Sequence, residues 1–198
     1  IIFFSSATEA LSTLIFSLIK SDYSQIVSSD LEHAAVFGGL KSLRDDQANV
    51  TFISPKEQGA VSLEDIKGAV TSKTQVIILM AANNETGVIT PIEEIAAFAK
   101  ERGILFVVDG VALLGKEPCL FYPGISAMCF SAHKFHGPKG VGFAVVRKDF
   151  PFCSMIQGGG QEYGRRAGTE NIPGIISTTK AIELVAGKSP EVYEIIRG

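Results

Sequence analysis

The chain has 198 residues and a formal net charge of −3 at pH 7, with 18 basic and 21 acidic residues. Hydrophobic residues make up 46% of the sequence and charged residues 20%, a balance typical of a globular protein with a buried core. The basic residues are scattered, which argues against a nucleic-acid partner, because nucleic-acid binding needs clustered positive charge.

The first segment, Ile1–Ile19, is apolar enough to resemble a signal peptide or a membrane helix. Thr8 and Glu9 interrupt it, no basic region precedes it, and it lacks the roughly 20 unbroken apolar residues of a membrane span. We therefore interpret it as a buried strand that runs into a helix, and we expect no membrane association. Because the chain starts with Ile1, we expect it to be a fragment.

Short apolar runs rich in β-branched residues alternate with longer helical patterns along the chain. Ile104–Val108 is apolar at every position, which is typical of a strand covered by helices on both faces, as in a parallel sheet. The alternation predicts an α/β fold, a three-layer sandwich around a mostly parallel, doubly wound sheet. The predicted strands are Ile1–Phe4, Gln25–Ser28, Val50–Ile53, Val76–Met80, Ile104–Val108, Ala127–Phe130 and Val141–Val146.

Two of the predicted helices have recognisable starts. Thr90 is the predicted N-cap of one, with a proline after it and Glu93 as the acid of a capping box. That helix is predicted to reach about Arg102 and to end at Gly103, a typical C-terminal glycine. The segment Ser62–Asp65 predicts the start of a second helix in the same way.

The three cysteines, Cys119, Cys129 and Cys153, are isolated and have neither a C-x-x-C pair nor the spacing of a zinc site. Cys129 lies in an apolar run, so we expect a buried and unreactive thiol there. An odd number of cysteines without a disulfide framework suits a reducing compartment and predicts a cytoplasmic location.

Polar residues follow several of the predicted strands, at the edge where open parallel sheets bind ligands. Thr8 lies in Ser5–Glu9, where small residues lead into a helix whose unpaired N–H groups attract anions such as phosphate; a simple helix cap is the alternative. Asn83 and Asn84 follow the fourth strand and form either an ordinary turn or a hydrogen bond to a ligand.

An acid and an amine follow two further strands. Asp109, at the mouth of an apolar strand, is costly without a cationic partner such as a ligand; a helix cap or a structural ion pair is the alternative. Lys134 is placed to attack a carbonyl, with a solvated loop lysine as the alternative. Gly158–Thr169 is a glycine-rich loop of a kind that wraps anions, with a flexible surface turn as the alternative. Together they offer an amine for a Schiff base, an acid for a pyridinium nitrogen and anion sites, the combination that pyridoxal 5′-phosphate (PLP) requires.

Two runs of residues are specific enough to indicate a family. These are Ser-Ala-His-Lys-Phe-His-Gly-Pro-Lys-Gly at Ser131–Gly140 and Gly-Arg-Arg-Ala-Gly-Thr-Glu-Asn within Gly158–Asn171. With them the chain resembles the cysteine desulfurases, fold-type-I PLP enzymes of the class V aminotransferase type. Further matching stretches, in the family's order, are Ser6–Glu9, Glu32-His33, Asn83–Glu85 and Asp109. The resemblance implies that residues 1–198 are the large PLP-binding domain.

The resemblance also implies a role for each candidate site residue. Lys134 would hold PLP through a Schiff base and move protons at the substrate Cα, and Asp109 would pair with the protonated pyridine nitrogen. His33 would stack on the ring and take part in acid–base steps. The other implied cofactor contacts are Asn84 near the phenolic oxygen, Thr8, Ser131 and His133 at the phosphate, Ala7 beside them, and Thr169, reaching the phosphate from a second subunit.

The implied reaction removes sulfur from L-cysteine and gives alanine and a protein-bound persulfide. The sulfur would pass to an acceptor or scaffold protein, as in iron–sulfur cluster assembly or other sulfur transfer. The family acts as a homodimer, so the resemblance implies a second copy of the chain as a partner.

Three departures from the family's pattern bear on these expectations. Ala112 stands where the family usually has a glutamine, and alanine cannot donate a hydrogen bond to the phenolic oxygen. The segment Ala10–Ser12 replaces a small polar run. The chain ends at Gly198, before the family's persulfide-forming cysteine and substrate-binding arginine. We therefore expect an incomplete N-terminus, no C-terminal small domain, and no desulfuration by this chain alone.

Two alternatives remain open from the sequence. The first is another fold-type-I PLP enzyme, such as a selenocysteine lyase or an aminotransferase, because the cofactor residues serve early steps that these enzymes share. The second is a catalytically silent fragment that acts as a binding module, since a fold by itself does not establish a function.

Overall fold

The computed structural model of the protein describes residues 1–43, 48–55 and 59–186. Strands and helices alternate over most of this length, as the sequence pattern predicts. The strands are β1 (Ile2–Phe4), β2 (Gln25–Ser29), β3 (Asn49–Ile53), β4 (Val76–Met80), β5 (Leu105–Asp109), β6 (Ala127–Ser131) and β7 (Gly142–Val146). The helices are α1 (Ala7–Lys20), α2 (Ala34–Leu43), α3 (Leu63–Ala69), α4 (Ile92–Arg102) and α5 (Ile172–Ala186).

Within the described residues, the seven strands form one sheet in the order β1-β7-β6-β5-β4-β2-β3. β7 runs antiparallel to its neighbours β1 and β6, and the other neighbouring strands are parallel. The carboxyl ends of β2, β4, β5 and β6 therefore meet at one edge. The predicted mostly parallel sheet is confirmed, and every predicted strand agrees with the structure to within one residue.

Different helices cover the two faces of the sheet. In β4, Ile77 and Leu79 share a core cluster with residues of α3, α4 and α5, whereas Val76 and Ile78 share another with residues of α1 and α2. All five side chains of β4 are buried, which explains why the strand is apolar at every position. The predicted three-layer sandwich is confirmed.

Two of the predicted helix ends are confirmed. At the start of α3, Ser62 Oγ accepts a hydrogen bond from the Asp65 N–H, and the Asp65 carboxylate accepts one from the Ser62 N–H. This is the reciprocal capping box that the sequence predicts. At the end of α4, Gly103 adopts the left-handed conformation with a φ of 65°, which glycine adopts without steric cost.

The predicted N-cap of α4 is wrong by one residue. Pro91 occupies the cap position, and no side chain makes a capping hydrogen bond there. Thr90 belongs instead to the preceding turn, where its N–H donates to the carbonyl of Ala81 at 2.9 Å. That tertiary hydrogen bond fixes the backbone of Thr90 before the helix begins.

The apolar first segment folds as β1 followed by α1, as predicted. The Ser6 side chain caps α1 by accepting a hydrogen bond from the Glu9 N–H at 3.3 Å. One face of α1, including Leu11, Leu14 and Leu18, is buried against the sheet. In the part of the chain that the structure describes, no helix has both the length and the apolar character needed to cross a membrane.

Candidate active site

A cavity of about 600 Å³ lies at the edge of the sheet where β2, β4, β5 and β6 end. The N-terminus of α1 and the segment after β5 complete its wall. It brings together all but one of the site residues that the sequence predicts: Ala7, Thr8, His33, Asn84, Asp109, Ser131, His133 and Lys134. Ala112, the departure from the family's glutamine, also lines this cavity.

Asp109 is the last residue of β5, and only 5% of its surface is exposed. Its Oδ1 accepts a hydrogen bond from the Val111 N–H at 3.0 Å. Burial raises the pKa of Asp109, although the Val111 hydrogen bond and the charges of His33 and Lys134 oppose that rise. Among the described residues, no basic group forms an ion pair with it, so the structural ion pair considered from the sequence is not present there. The cavity therefore contains a buried acid suited to a cationic ligand.

Lys134 lies in a single 3₁₀ turn, Ala132–Phe135, that directly follows β6. Phe135 is almost completely buried and anchors the turn, whereas Lys134 is exposed and lines the cavity. The parallel register of β5 and β6 pairs Asp109 with Cys129, which places the ends of the two strands side by side. An amine and a buried carboxyl group therefore face the same space.

Ser131 and the start of α1 form a polar corner of the cavity. The Ala7 N–H donates to Ser131 Oγ at 2.8 Å, which joins the end of β6 to the first residue of the helix. Gly142, the partner of Ser131 in β7, permits this approach, because a Cβ there would lie 2.3 Å from the Ser6 carbonyl carbon. Thr8, in the first turn of the helix, is exposed to the cavity. Hydroxyl groups at a helix N-terminus suit an anion.

The Ala7 N–H already has an acceptor within the protein, so Ala7 contributes to this corner by orienting Ser131. His133, two residues after Ser131, is exposed and lines the same cavity. The predicted cofactor contacts of these residues stay predictions.

His33 follows β2 and is exposed at the opening of the cavity. Its Nδ1 accepts a hydrogen bond from the Ala35 N–H at 3.1 Å. An accepting Nδ1 carries no proton, so Nε2 is the ring nitrogen left to exchange a proton with a ligand. This arrangement suits the predicted acid–base role, which stays a prediction.

The sequence left two roles open for the asparagines after β4, an ordinary turn and a hydrogen bond to a ligand, and the structure gives the two residues different roles. Asn83 forms the ordinary turn: its Oδ1 accepts hydrogen bonds from the Glu85 and Thr86 N–H groups, both at 2.9 Å. Its Nδ2 donates to the carbonyl of Leu31 at 3.2 Å, which joins this turn to the segment after β2. Asn84 is exposed and lines the cavity, as a ligand-binding residue would.

Lys116 is a cavity residue that the sequence analysis missed. It lies on the segment after β5, and its Nζ donates to the carbonyl of Ala112 at 3.2 Å. Burial lowers the pKa of Lys116, and the charge of Lys134 lowers it further. Lys116 could have been predicted as a cavity residue from its position shortly after Asp109, on a segment that starts at the ligand-binding edge of the sheet.

Thr169 is the one predicted site residue that the cavity does not include. It is exposed and lines a separate cavity of about 220 Å³ with Glu162 and Arg166. Arg166 forms an ion pair with Glu9, with Nε 2.8 Å from Oε1. Burial tends to raise the pKa of Glu9, but hydrogen bonds with Arg166 and Ser5 outweigh it and lower the pKa. The predicted contribution of Thr169 to a second subunit's site stays a prediction.

None of the three cysteines, all of which lie in described segments, lines the 600 Å³ cavity. Cys129 is completely buried, as predicted, and burial raises its pKa well above the usual value. Burial also raises the pKa of the Cys119 thiol to about 11. Neither of these two thiols is ionised at neutral pH.

Comparisons with known proteins agree with one another. The family model described as aminotransferase class-V matches residues 1–194. A cysteine desulfurase 2 from Trichormus variabilis is 41% identical over 187 residues, covering 93% of this chain and 47% of the relative. A cysteine desulfurase from Cereibacter sphaeroides is 41% identical over 201 residues, covering 100% of this chain and 52% of the relative. The chain thus spans about half the length of these curated relatives.

Solved structures give the same result. A NifS-like protein superposes with a TM-score of 0.91 at 36% identity, over 98% of this chain and 54% of that protein. DndA from Streptomyces lividans superposes with a TM-score of 0.88 at 32% identity, over 93% of this chain and 55% of that protein. The fold is therefore the one found in these proteins.

Proposed function

The chain belongs to the aminotransferase class-V family, among the cysteine desulfurases, and from this premise we propose that its cavity holds PLP and serves cysteine desulfuration in the whole protein. The observation that carries the proposal is the meeting of Lys134, His33 and buried Asp109 around one cavity. The two cysteine desulfurases and the NifS-like protein named above favour this reaction over the selenocysteine lyase, aminotransferase and silent-module alternatives.

The residues of the cavity fit each chemical group of PLP. The aldehyde calls for an amine, the pyridine nitrogen for an acid and the phosphate for hydroxyl groups at a helix N-terminus. Lys134, Asp109, and the Ser131–Thr8 corner offer these in one space. When bound, PLP supplies an electron sink that weakens the bonds at the substrate Cα.

Two residues would carry the central chemistry. The Lys134 amine would hold the cofactor through its aldehyde carbon and would move a proton at the substrate Cα. The Asp109 carboxylate would accept a hydrogen bond from the protonated pyridine nitrogen. Burial makes the ionised form of Asp109 costly, so a cationic partner would stabilise it.

The remaining predicted residues would orient the cofactor. His33, with Nε2 available, would lie against the ring and exchange protons. Thr8, Ser131 and His133 would hold the phosphate, with Ala7 fixing the Ser131 hydroxyl. Asn84 would face the phenolic oxygen, to which the methyl group of Ala112 offers no donor.

We further propose L-cysteine as the substrate of the whole protein. Its sulfur would pass to a cysteine thiol, giving alanine and a persulfide. The described cysteines do not line the cavity, so the accepting thiol would come from elsewhere in the whole protein or from its partner. We propose that the protein forms a homodimer in which Thr169 of one subunit contacts the site of the other. Its partner would be a sulfur-acceptor or scaffold protein, and its location would be the cytoplasm.

Borohydride reduction of the PLP-loaded chain, followed by peptide mass mapping, tests the cofactor assignment. We expect stable label on Lys134 and none after Lys134→Ala, because reduction fixes the cofactor to the amine that holds it. Lys139→Ala is the matched control, since Lys139 lies on the same loop but outside the cavity. Label on Lys116, or label spread over surface lysines, would contradict the assignment.

The substrate assignment has its own test in a full-length form that includes the region following residue 198. We expect alanine and sulfide from L-cysteine in the presence of a reducing agent, and loss of both products in Lys134→Ala. The same assay on the 198-residue chain tests the expectation that it does not desulfurate cysteine alone. Label on Lys134 without alanine from the longer form would retain the cofactor and reject the substrate.

A further inference from the structure

Glu32 is a buried acid next to the candidate site for which the proposed function has no role. It lies between the end of β2 and His33, and 7% of its surface is exposed. The Ser29 hydroxyl donates to Glu32 Oε1 at 2.6 Å. In the described part of the chain, Oε2 has no hydrogen-bond partner. A buried carboxylate with an unsatisfied oxygen is costly, so this environment favours the protonated form.

Two residues separate Glu32 from the PLP cavity. Met80 and Asn83 line the large cavity and also line a smaller cavity that Glu32 borders. Asn83 holds the Glu32 segment in place by donating to the carbonyl of Leu31. Met80 pairs in register with Asp109 across β4 and β5. Glu32 and Asp109 therefore border two cavities that share Met80 and Asn83, here called the Met80–Asn83 wall.

Two buried carboxyl groups this close favour a state in which only one is charged. Asp109 has the Val111 N–H and the positive charge of Lys134 to stabilise its anion. Burial raises the pKa of Glu32 to about 8. The Ser29 hydrogen bond and an interaction with the Met80 backbone oppose the rise, and the charge of Asp109 adds to it.

Few other charged groups surround Glu32 in the described residues. Its own segment carries Asp30, which Ser54 binds, and His33. β5 contributes Asp109, which lines the large cavity. Among the described residues that line the small cavity, Glu32 is the one with a charged side chain. These surroundings favour the proton on Glu32 and the negative charge on Asp109.

We propose that Glu32 is a positioning residue of the site: a neutral, buried acid that anchors the His33 segment and leaves Asp109 as the one anionic carboxyl group beneath the cofactor. This inference rests on the proposed function, which assigns Asp109 to the pyridine nitrogen. Ionisation of Glu32 in mildly alkaline solution adds a second negative charge behind the Met80–Asn83 wall. That charge strengthens proton binding at Asp109 and at the ring nitrogen, and so alters the cofactor's absorbance.

The first experiment is a pH titration of the visible absorbance of the PLP-loaded chain, from about pH 6 to about pH 9.5. We expect a spectral step with a midpoint near the Glu32 pKa of about 8. Glu32→Gln, which keeps the shape and the Ser29 acceptor, removes the step and leaves PLP affinity at pH 7 within about twofold. Glu101→Gln, an exposed acid on α4, leaves the step in place. An unchanged step in folded Glu32→Gln overturns the proposal.

The second experiment uses the wild-type chain without PLP as its main sample, so it depends neither on bound cofactor nor on the folding of a variant. The side-chain carboxyl carbons of the wild-type chain, ¹³C-labelled at Glu, are titrated by NMR without PLP. A Glu carbon that titrates near pH 8, and is missing in Glu32→Gln or Glu32→Asp, supports the proposal. Titration of every Glu carbon in the ordinary acidic range overturns it. This result is independent of label on Lys134, so failure of the PLP assignment and failure of the Glu32 inference are distinguished.

Discussion

The carboxyl-terminal edge of the sheet and the glycine-rich segment, Gly158–Asn171, both carry specific sequence runs, but they are organised differently. At the edge of the sheet, residues from four strand ends and the N-terminus of α1 surround one cavity. The glycine-rich segment is mainly exposed and lines a separate, smaller cavity. Two of its residues, Glu162 and Tyr163, have positive φ values of 48° and 56°, and the Tyr163 side chain is 92% exposed.

This difference indicates how each region obtains its function. A parallel sheet fixes the ends of its strands, so residues after those strands meet within one chain. The side chain of Arg166 joins the glycine-rich segment to the start of α1 by bonding Glu9. An exposed and strained loop of this kind suits a contact with another molecule. Four predictions test whether the two regions are separate in this way.

The largest effect is expected at the cavity, for Asp109→Asn. Loss of the buried anion weakens PLP binding about 10²-fold to 10³-fold, because breaking a buried charge pair costs about 3–5 kcal/mol. Without PLP the same variant is more stable than the wild type at neutral pH. The raised pKa of Asp109 means that its contribution to stability is full at acidic pH and is lost as the pH rises through the native-state pKa.

Equilibrium dialysis with PLP and denaturant unfolding of the unloaded chain measure the two effects of Asp109→Asn. Asp22→Asn, at an exposed turn outside the cavity, is the control and changes neither quantity appreciably. Equal PLP affinity in Asp109→Asn and the wild type would remove Asp109 from the proposed site.

Glu32→Gln tests the protonation of the acid behind the Met80–Asn83 wall through the pH dependence of the free energy of unfolding. The native-state pKa of Glu32, about 8, lies above the ordinary value of 4.5 for an unburied Glu. The wild type therefore loses stability as the pH rises between these values, and the variant does not. By linkage the variant gains about 3 kcal/mol over the wild type between pH 4.5 and pH 7, before any cost of the buried amide. Urea unfolding at several pH values measures this; parallel curves for the two proteins would contradict it.

Arg166→Ala tests the attachment of the glycine-rich segment. The Glu9–Arg166 pair is largely buried, with side-chain exposures of 11% and 24%. We expect the free energy of unfolding to fall by about 1–2 kcal/mol, more than for an exposed pair. Lys67→Ala, which breaks an exposed helix pair with Glu64, is the matched control, with a loss of about 0.5 kcal/mol or less. If thermal or urea unfolding shows the same loss of unfolding free energy for Arg166→Ala and Lys67→Ala, the contact with Glu9 does not hold the glycine-rich segment.

Thr169→Ala is expected to have the smallest effect and to separate the two regions most sharply. In monomeric chain, PLP affinity stays unchanged, because Thr169 lies outside the cavity. In a dimer we expect about threefold weaker binding, the equivalent of one lost hydrogen bond. Ser131→Ala, within the cavity, weakens binding in both forms. PLP affinity is measured over a range of protein concentrations, and sedimentation gives the oligomeric state at each one. An equal loss of PLP affinity in monomer and dimer would place Thr169 in the site of its own chain.

Much of the fold and part of the site were predictable from local sequence. The strands, the capping box at Ser62 and the glycine stop at Gly103 depend on near neighbours, and the structure confirms them. Thr90 was assigned wrongly because a tertiary hydrogen bond to Ala81 competes with the local capping signal. Asn83 and Asn84 have the same local signal, so only the tertiary contact of Asn83 with Leu31 distinguished their roles.

The sequence by itself determined the alternation of strands and helices, the family, and which residues follow the strand ends. These features depend on periodicity and on short motifs, which act over a few residues. Only the tertiary structure decided that Asp109 and Glu32 are buried beside two cavities that share the Met80–Asn83 wall, that Lys116 joins the large cavity, and that Thr169 does not. The reason is that burial and electrostatic coupling depend on strand order, here β4 between β2 and β5, and no local pattern encodes that order.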